Sequence, residues 1–185
     1  MNNPRKKRLL LLHGYKGTPD TPTWYKWLKN ELEPKGWYVM IPQLPSPAEP
    51  KVEEWSAAIE RELGGDFNDV VIVGHSLGGL ATLHALAAHP HDELAKAVIL
   101  VAAPVRDVGR PRILPFMAPL EWEVIKKRTA HVLGFYSDDD PYVPLDHGEE
   151  FHRILGGSFV QFHGKRHFQD QNIFPELLTT IKKLG

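Results

Sequence analysis

Cysteine is absent from the 185 residues of this chain. Its absence excludes disulfides, a thiol nucleophile and thiolate-bound metal sites, and it fits a cytoplasmic protein. An excess of charge of one sign is also lacking, because 22 basic side chains offset 23 acidic ones and leave a net charge of −1. We therefore expect no general electrostatic attraction to nucleic acid or to an anionic membrane.

Long apolar runs are missing as well, and none approaches the roughly 20 residues that a membrane-spanning helix requires. The leucines at residues 9–12 follow a basic cluster at residues 5–8, but they are too few for a signal-peptide core of about 7–15 apolar residues. We interpret the basic cluster as a solvated lead-in to a strand rather than as a polyanion site. Length and an ordinary composition, with 42% hydrophobic residues, predict a single domain over residues 1–185.

Short apolar runs alternate with helical periodicity, which predicts a three-layer α/β/α fold with a parallel sheet between helices. The predicted strands are residues 8–12, 37–41, 70–73, 97–102, 132–136 and 158–162. The first helix is predicted to start with Thr21 as its cap and Pro22 as its first residue, and the others cover residues 52–63, 77–89, about 145–155 and 173–184. Residues 104–128 contain four prolines and exceed the usual connection length, which predicts a small lid insertion.

Residues 74–78, Gly-His-Ser-Leu-Gly, match the pattern G-x-S-x-G. Chance produces such a match in roughly one chain of this length in twenty, so the context carries the argument. A predicted strand precedes the motif and a predicted helix follows it, which is the strand–turn–helix setting of a nucleophile elbow. We interpret Ser76 as a nucleophile, with the alternative that it is an incidental serine in a glycine-rich turn.

A serine hydroxyl is a poor nucleophile without a base, and in this setting the acid and the histidine follow the serine along the chain. The run Asp138-Asp139-Asp140 lies just past the fifth predicted strand. We favour Asp140 as the acid, because Pro141 biases it towards an extended backbone, and Asp139 is the alternative.

Two histidines follow the sixth predicted strand, His163 and His167. We favour His167 as the base, since it lies in the loop between that strand and the last helix. His163 is the alternative, because it lies closer to the end of the strand.

Two main-chain N–H groups are expected to form an oxyanion hole. One belongs to Leu77, the residue after the nucleophile, and the other to Tyr15, in the loop that follows the first strand. Trp122, in the insertion, is a candidate substrate-binding residue or an anchor of the lid. For Trp24 and Trp27 we prefer packing in the core over contact with substrate.

No H-E-x-x-H pattern and no compact set of histidines and acids occurs, so we predict neither a metal site nor a cofactor. The expected partner is a small-molecule acyl substrate, and the sequence does not identify a protein partner. The expected reaction is hydrolysis of carboxylic esters or related acyl compounds through an acyl-enzyme on Ser76. Alternatives are an acyltransferase, thioesterase, peptidase or C–C lyase with the same triad, or a binding protein with weak catalysis.

The motifs together resemble the small serine hydrolases grouped with the retinoblastoma-binding serine hydrolase and its bacterial relatives. The resemblance covers nearly the whole chain and rests on residues 12–17, 24–28, 74–78, 139–144 and 167–168. It implies a reduced α/β-hydrolase fold with six parallel strands in the order 2-1-3-4-5-6, and catalytic roles for Ser76, Asp140 and His167. The retinoblastoma partner is not implied, since that contact is associated with a Leu-x-Cys-x-Glu motif and this chain has no cysteine.

Overall fold

The central element is a sheet of six parallel strands in the order β2-β1-β3-β4-β5-β6, seen in a computed structural model that describes residues 6–185. The strands are β1 (Lys7–Leu12), β2 (Trp37–Met40), β3 (Val70–His75), β4 (Ala97–Val101), β5 (Val132–Ser137) and β6 (Ser158–Phe162). Both the parallel sheet and the strand order implied by the family resemblance are confirmed. Of the basic cluster, Arg5 lies outside the described residues.

Helices cover both faces of the sheet. Residues 6–185 contain α1 (Trp24–Leu32), α2 (Val52–Leu63), α3 (Leu77–Ala88), α4 (Trp122–Lys127), α5 (Asp146–Leu155) and α6 (Pro175–Leu184). Helices α1 and α6 pack on one face, and the other four pack on the opposite face. None of the helices in this part of the chain is long and apolar enough to cross a bilayer.

Strand β1 shows why the apolar runs are continuous. Leu9 and Leu11 are buried with α1 and α6, whereas Leu10 and Leu12 are buried with α2 and α3. Successive side chains of a strand point to opposite faces, so a strand covered on both faces must be apolar at every position. Helix α3 is buried on nearly all sides for the same reason, which places the turn before it at the centre of the molecule.

Helix α1 begins later than predicted. It starts at Trp24, and Thr23 occupies the cap position without a side-chain capping bond. Thr21 instead pairs with Thr18 in a local turn, where the N–H of Thr21 donates to the Thr18 carbonyl at 3.1 Å. The expected cap is therefore wrong, because that turn engages the backbone before the helix can start.

The insertion between β4 and β5 folds back onto the core. It contains a 3₁₀ helix (Pro111–Met117) followed by α4. Ile113, Phe116 and Ile125 are buried, and the ring of Phe116 packs edge-on against Trp55 at 5.4 Å between centroids. These contacts attach the insertion to α2 and α3, so it forms one wall above the carboxyl ends of the strands.

We expect Gly78→Ala to destabilise the protein by about 3 kcal/mol, measured by urea unfolding. A Cβ at Gly78 would lie 2.5 Å from the carbonyl oxygen of Leu12 and 2.7 Å from that of His13, so backbone would have to move. Gly64→Ala is the control, because Gly64 has a φ of 64° and open space around it. Its cost is the left-handed backbone alone, about 1 kcal/mol. Equal losses in the two variants would contradict the packing argument.

Candidate active site

Ser76 forms the sharp turn between β3 and α3. Its φ of 54° and ψ of −124° are unusual for a residue other than glycine, and its N–H donates to the Val101 carbonyl at 2.8 Å. The turn closes tightly because a Cβ on Gly74 would lie 2.4 Å from the Cα of Gly79. The local sequence thus folds as the predicted elbow, with the hydroxyl lifted beyond the end of the strand.

The Ser76 hydroxyl faces a cleft of about 290 Å³ at the carboxyl ends of the strands. Its walls come from the loops after β1, β4, β5 and β6. They include Gly14, Tyr15, Lys16, Pro104, Val108, Arg110, Ile113, Tyr142, Val143 and His167. Because parallel strands end at one edge of the sheet, residues distant in the sequence meet at this cleft.

Asp140 and His167 form a buried pair at the cleft. Asp140 Oδ2 lies 2.7 Å from His167 Nδ1, and the two side chains are 1% and 8% exposed. The other carboxylate oxygen of Asp140 accepts the N–H groups of Tyr142 and Val143, at 2.8 and 3.0 Å. These bonds fix the carboxylate, which in turn orients the imidazole.

The two neighbouring acids have other partners. Asp139 accepts the Ser137 hydroxyl at 2.7 Å and the Arg166 N–H at 2.8 Å, and these hydrogen bonds lower the pKa of its carboxyl. Asp138 pairs instead with the exposed imidazole of His163. The structure therefore brings Asp140, and neither of the other acids, to His167.

Both Ser76 and His167 line the cleft, but no hydrogen bond joins them within the described residues. In enzymes without bound substrate such contacts are often long, and they tighten when the substrate binds. The imidazole is oriented by Asp140 through Nδ1, which leaves Nε2 available to the cleft.

The loop after β1 is held against the elbow by His13. Its Nδ1–H donates to the Gly14 carbonyl at 3.0 Å, and its Nε2 accepts the Leu44 N–H at 3.0 Å. Burial lowers the pKa of His13, which matches this neutral tautomer. A Cβ on Gly14 would lie 2.8 Å from the Cβ of Ser76, so only glycine allows the loop to approach the serine this closely.

The two expected oxyanion donors both lie beside the serine. Tyr15 follows Gly14 in the wall of the cleft, and Leu77 is the first residue of α3. No hydrogen bond among residues 6–185 uses the N–H of either one. The first N–H groups of a helix have no partner inside the helix and carry its positive dipole end.

Several contributors to this site are not evident from the sequence. His75 Nε2 donates to the main-chain carbonyl of His167 at 2.7 Å, and Trp24 Nε1 donates to that of Phe168 at 2.9 Å. Tyr142 places its ring edge-on to the His167 imidazole, with 5.1 Å between centroids. The only sequence signal for His75 is its position inside the elbow motif, where any residue type satisfies the pattern.

The tryptophans lie outside the cleft. Trp24 is fully buried and Trp27 packs against the same core, as predicted. Trp122 does not line the cleft, and it packs edge-on against Phe151 at 6.2 Å between centroids. The substrate-binding interpretation of Trp122 is thus not supported, because α4 directs this side chain towards α5. The alternative, that Trp122 anchors the lid, agrees with its contact with Phe151.

A family model described as serine hydrolase matches residues 9–184. This chain belongs to the serine hydrolase family. It is 30% identical over 172 residues to serine hydrolase RBBP9 of Rattus norvegicus, a match that covers 91% of this chain and 89% of that protein. The hydrolase is thus related along nearly its whole length to a protein of the family that the motifs resemble.

Solved structures agree with this assignment at the level of the fold. The ydeN gene product of Bacillus subtilis superposes on this serine hydrolase with a TM-score of 0.90 at 21% identity, covering 96% of this chain and 98% of the other. The esterase RhEst1 from Rhodococcus sp. ECU1013 gives a TM-score of 0.72 at 18% identity, with 97% and 92% covered. The fold is therefore that of the α/β hydrolases.

Metal ligands do not cluster in the described part of this hydrolase. No group of three or more histidine, aspartate or glutamate side chains between residues 6 and 185 is placed to hold a metal ion. The imidazoles and carboxylates around Ser76 bind one another and main-chain groups instead.

We expect a proton resonance far downfield in the NMR spectrum, from the Nδ1–H shared between His167 and Asp140. The signal should disappear in Asp140→Asn, because the neutral amide holds that proton less strongly than a carboxylate. Asp139→Asn and Asp138→Asn are matched controls and should keep it. If Asp139→Asn removes the signal while Asp140→Asn keeps it, the acid is assigned to the wrong residue.

Proposed function

We propose that this hydrolase is a carboxylesterase that works through an acyl-enzyme on Ser76. The observation that carries the proposal is the position of Ser76, on a strained elbow in one cleft with His167, whose imidazole is paired with the buried Asp140. The family assignment and the fold shared with an esterase support it. The proposal assigns the catalytic roles to Ser76, Asp140 and His167.

In the acylation step, Ser76 Oγ attacks the carbonyl carbon of the ester while its proton passes to His167 Nε2. Asp140 holds Nδ1–H and stabilises the imidazolium that forms. The N–H groups of Tyr15 and Leu77 donate to the oxyanion, and one such donor typically contributes about 3 kcal/mol to transition-state stabilisation. The leaving alcohol then takes the proton from His167, and the acyl group stays on Ser76.

Deacylation repeats these steps with water as the nucleophile. His167 takes a proton from the water, the hydroxide attacks the acyl carbon, and the proton returns to Ser76 Oγ as the carboxylic acid leaves. His167 performs every proton transfer and main-chain N–H groups stabilise the oxyanion, so the proposed reaction uses neither metal nor cofactor. A small acyl compound is its one required partner, and we propose the cytoplasm as the compartment because the chain has no cysteine.

The size of the cleft bears on the substrate. Its volume of about 290 Å³ lies at the lower end of the range for ligand pockets, about 300–1,000 Å³. The buried residues Ile113 and Val143 limit it on the side of the insertion and of the β5 loop. We therefore propose short acyl chains over long ones.

We expect Ser76→Ala to lower kcat for p-nitrophenyl butyrate by at least about 10⁴-fold and to abolish labelling by a fluorophosphonate probe. The loss follows because alanine has no hydroxyl, so the elbow no longer presents an attacking oxygen. Wild-type protein should cleave the butyrate faster than the palmitate.

Ser158→Ala is the matched control, since Ser158 is exposed at the start of β6 and lies outside the cleft. It should keep both activities. Retention of ester cleavage and probe labelling by Ser76→Ala would overturn the proposed function.

A further inference from the structure

Two cationic side chains line the cleft that contains Ser76. Among residues 6–185 no carboxylate is part of its lining, because the Asp140 carboxylate is buried against His167. Lys16 belongs to the loop after β1, and Arg110 belongs to the insertion after β4. Strand β1 lies on one side of β3 and strand β4 lies on the other, so the two cations approach the serine from different sides. The fixed charges exposed to the cleft are therefore positive, although the chain as a whole is nearly neutral.

Neither cation has an acidic partner in the part of the chain that the structure describes. No ion pair within residues 6–185 involves Lys16 or Arg110, whereas the neighbouring Arg112 is paired with Glu49. Asp107, three residues before Arg110, accepts the N–H of Gly109 at 2.8 Å. The charges of Lys16 and Arg110 thus remain available to a molecule in the cleft.

Both cations rest on tyrosine rings that also line the cleft. Lys16 Nζ lies 5.4 Å from the centre of the Tyr15 ring, and the Arg110 guanidinium lies 5.0 Å from that of Tyr142. The Tyr142 ring lies 5.1 Å from the His167 imidazole, so the guanidinium is within about 10 Å of it. This stacking holds the charges near the reacting groups instead of leaving them free in solvent.

We propose that this hydrolase selects acyl substrates with an anionic group, such as a carboxylate, several bonds from the scissile carbonyl. The inference rests on the proposed esterase function and adds the substrate class. A cleft lined by charge of one sign concentrates oppositely charged ligands. The cations are exposed, so each contact is expected to improve kcat/KM by a few fold, up to about fivefold.

The test compares monomethyl adipate with methyl 6-methylheptanoate, in which an isopropyl group replaces the carboxylate, by methanol release. We expect wild-type protein to prefer the charged ester, mainly through KM, and added salt to reduce the preference. Lys16→Gln and Arg110→Gln should each lower the ratio of the two kcat/KM values about threefold, and the double variant about tenfold. Lys183→Gln, an exposed cation on α6 outside the cleft, should leave the ratio unchanged.

The outcomes distinguish failure of the anion preference from failure of the esterase function. Hydrolysis of both esters with equal kcat/KM, or a ratio unchanged in the double variant, would overturn the anion preference and leave the esterase function intact. No hydrolysis of either ester, together with no probe labelling of Ser76, would overturn both.

His75 is buried below the His167 loop. Burial, and secondarily the nearby His167, lower the pKa of His75 to about 3, so its ring is neutral at physiological pH. A carbonyl oxygen only accepts, so the one ring proton is on Nε2, in the 2.7 Å bond to the His167 carbonyl.

The loop that carries His167 needs such support. Arg166 and Phe168, on either side of it, have φ values of 50° and 58°, a region that costs energy in residues other than glycine. Bonds from His75 and Trp24 to successive carbonyls hold this backbone in place. We infer that His75 is a positioning residue, which keeps the His167 imidazole in line with Ser76.

We expect His75→Leu to lower kcat about tenfold with KM nearly unchanged, because a small misplacement of the base affects only the transition state. His75→Gln, whose amide reaches the same carbonyl, should restore most of the loss. His75→Asn is shorter and should behave like the leucine variant, which provides a polar variant if leucine disturbs folding. The downfield His167 proton signal should shift in His75→Leu and His75→Asn and keep its position in His75→Gln.

Thermal unfolding of each variant separates positioning from stability. Equal kcat losses in the glutamine and asparagine variants, or unchanged kcat in the asparagine and leucine variants, would overturn the positioning role of His75.

Discussion

The close approach of backbone at the elbow is the constraint on which the site depends. Gly74 lies against Gly79, and Gly78 lies against the carbonyls at the end of β1, at distances that leave no room for a Cβ. These contacts keep Ser76 in its strained conformation and bring the β1 loop to the start of α3. The nucleophile and both proposed oxyanion donors are therefore placed by the same packing.

The second organising feature is the connection between the β5 and β6 loops. Each of the three consecutive aspartates binds a different part of the β6 loop: Asp138 binds His163, Asp139 binds the Arg166 N–H, and Asp140 binds His167. A run of like charges that would repel itself in water is instead distributed over separate donors. The proposed base is held from its side chain by Asp140 and from its main chain by groups below the loop.

The proposed chemistry and the proposed selection of substrate lie on different parts of the fold. Ser76, Asp140 and His167 follow β3, β5 and β6, whereas the unpaired cations are in the β1 loop and the insertion. Lys16 and Arg110 contribute little to the core, because both side chains are exposed at the cleft. We expect changes of charge there to alter which substrates the cleft attracts without disturbing the buried Asp140–His167 pair.

The sequence by itself determined the six strands, most of the helices and the elbow at Ser76, because burial on both faces and a tight glycine turn leave local patterns. Only the tertiary structure separated Asp140 from Asp139, since adjacent carboxylates have the same local chemistry and differ only in what the β6 loop brings to them. The same holds for His75 and Trp122, whose roles depend on partners far away in the chain. The periodicity of apolar residues indicates which positions are buried. Which distant residue a side chain contacts is decided by the packing of the whole fold.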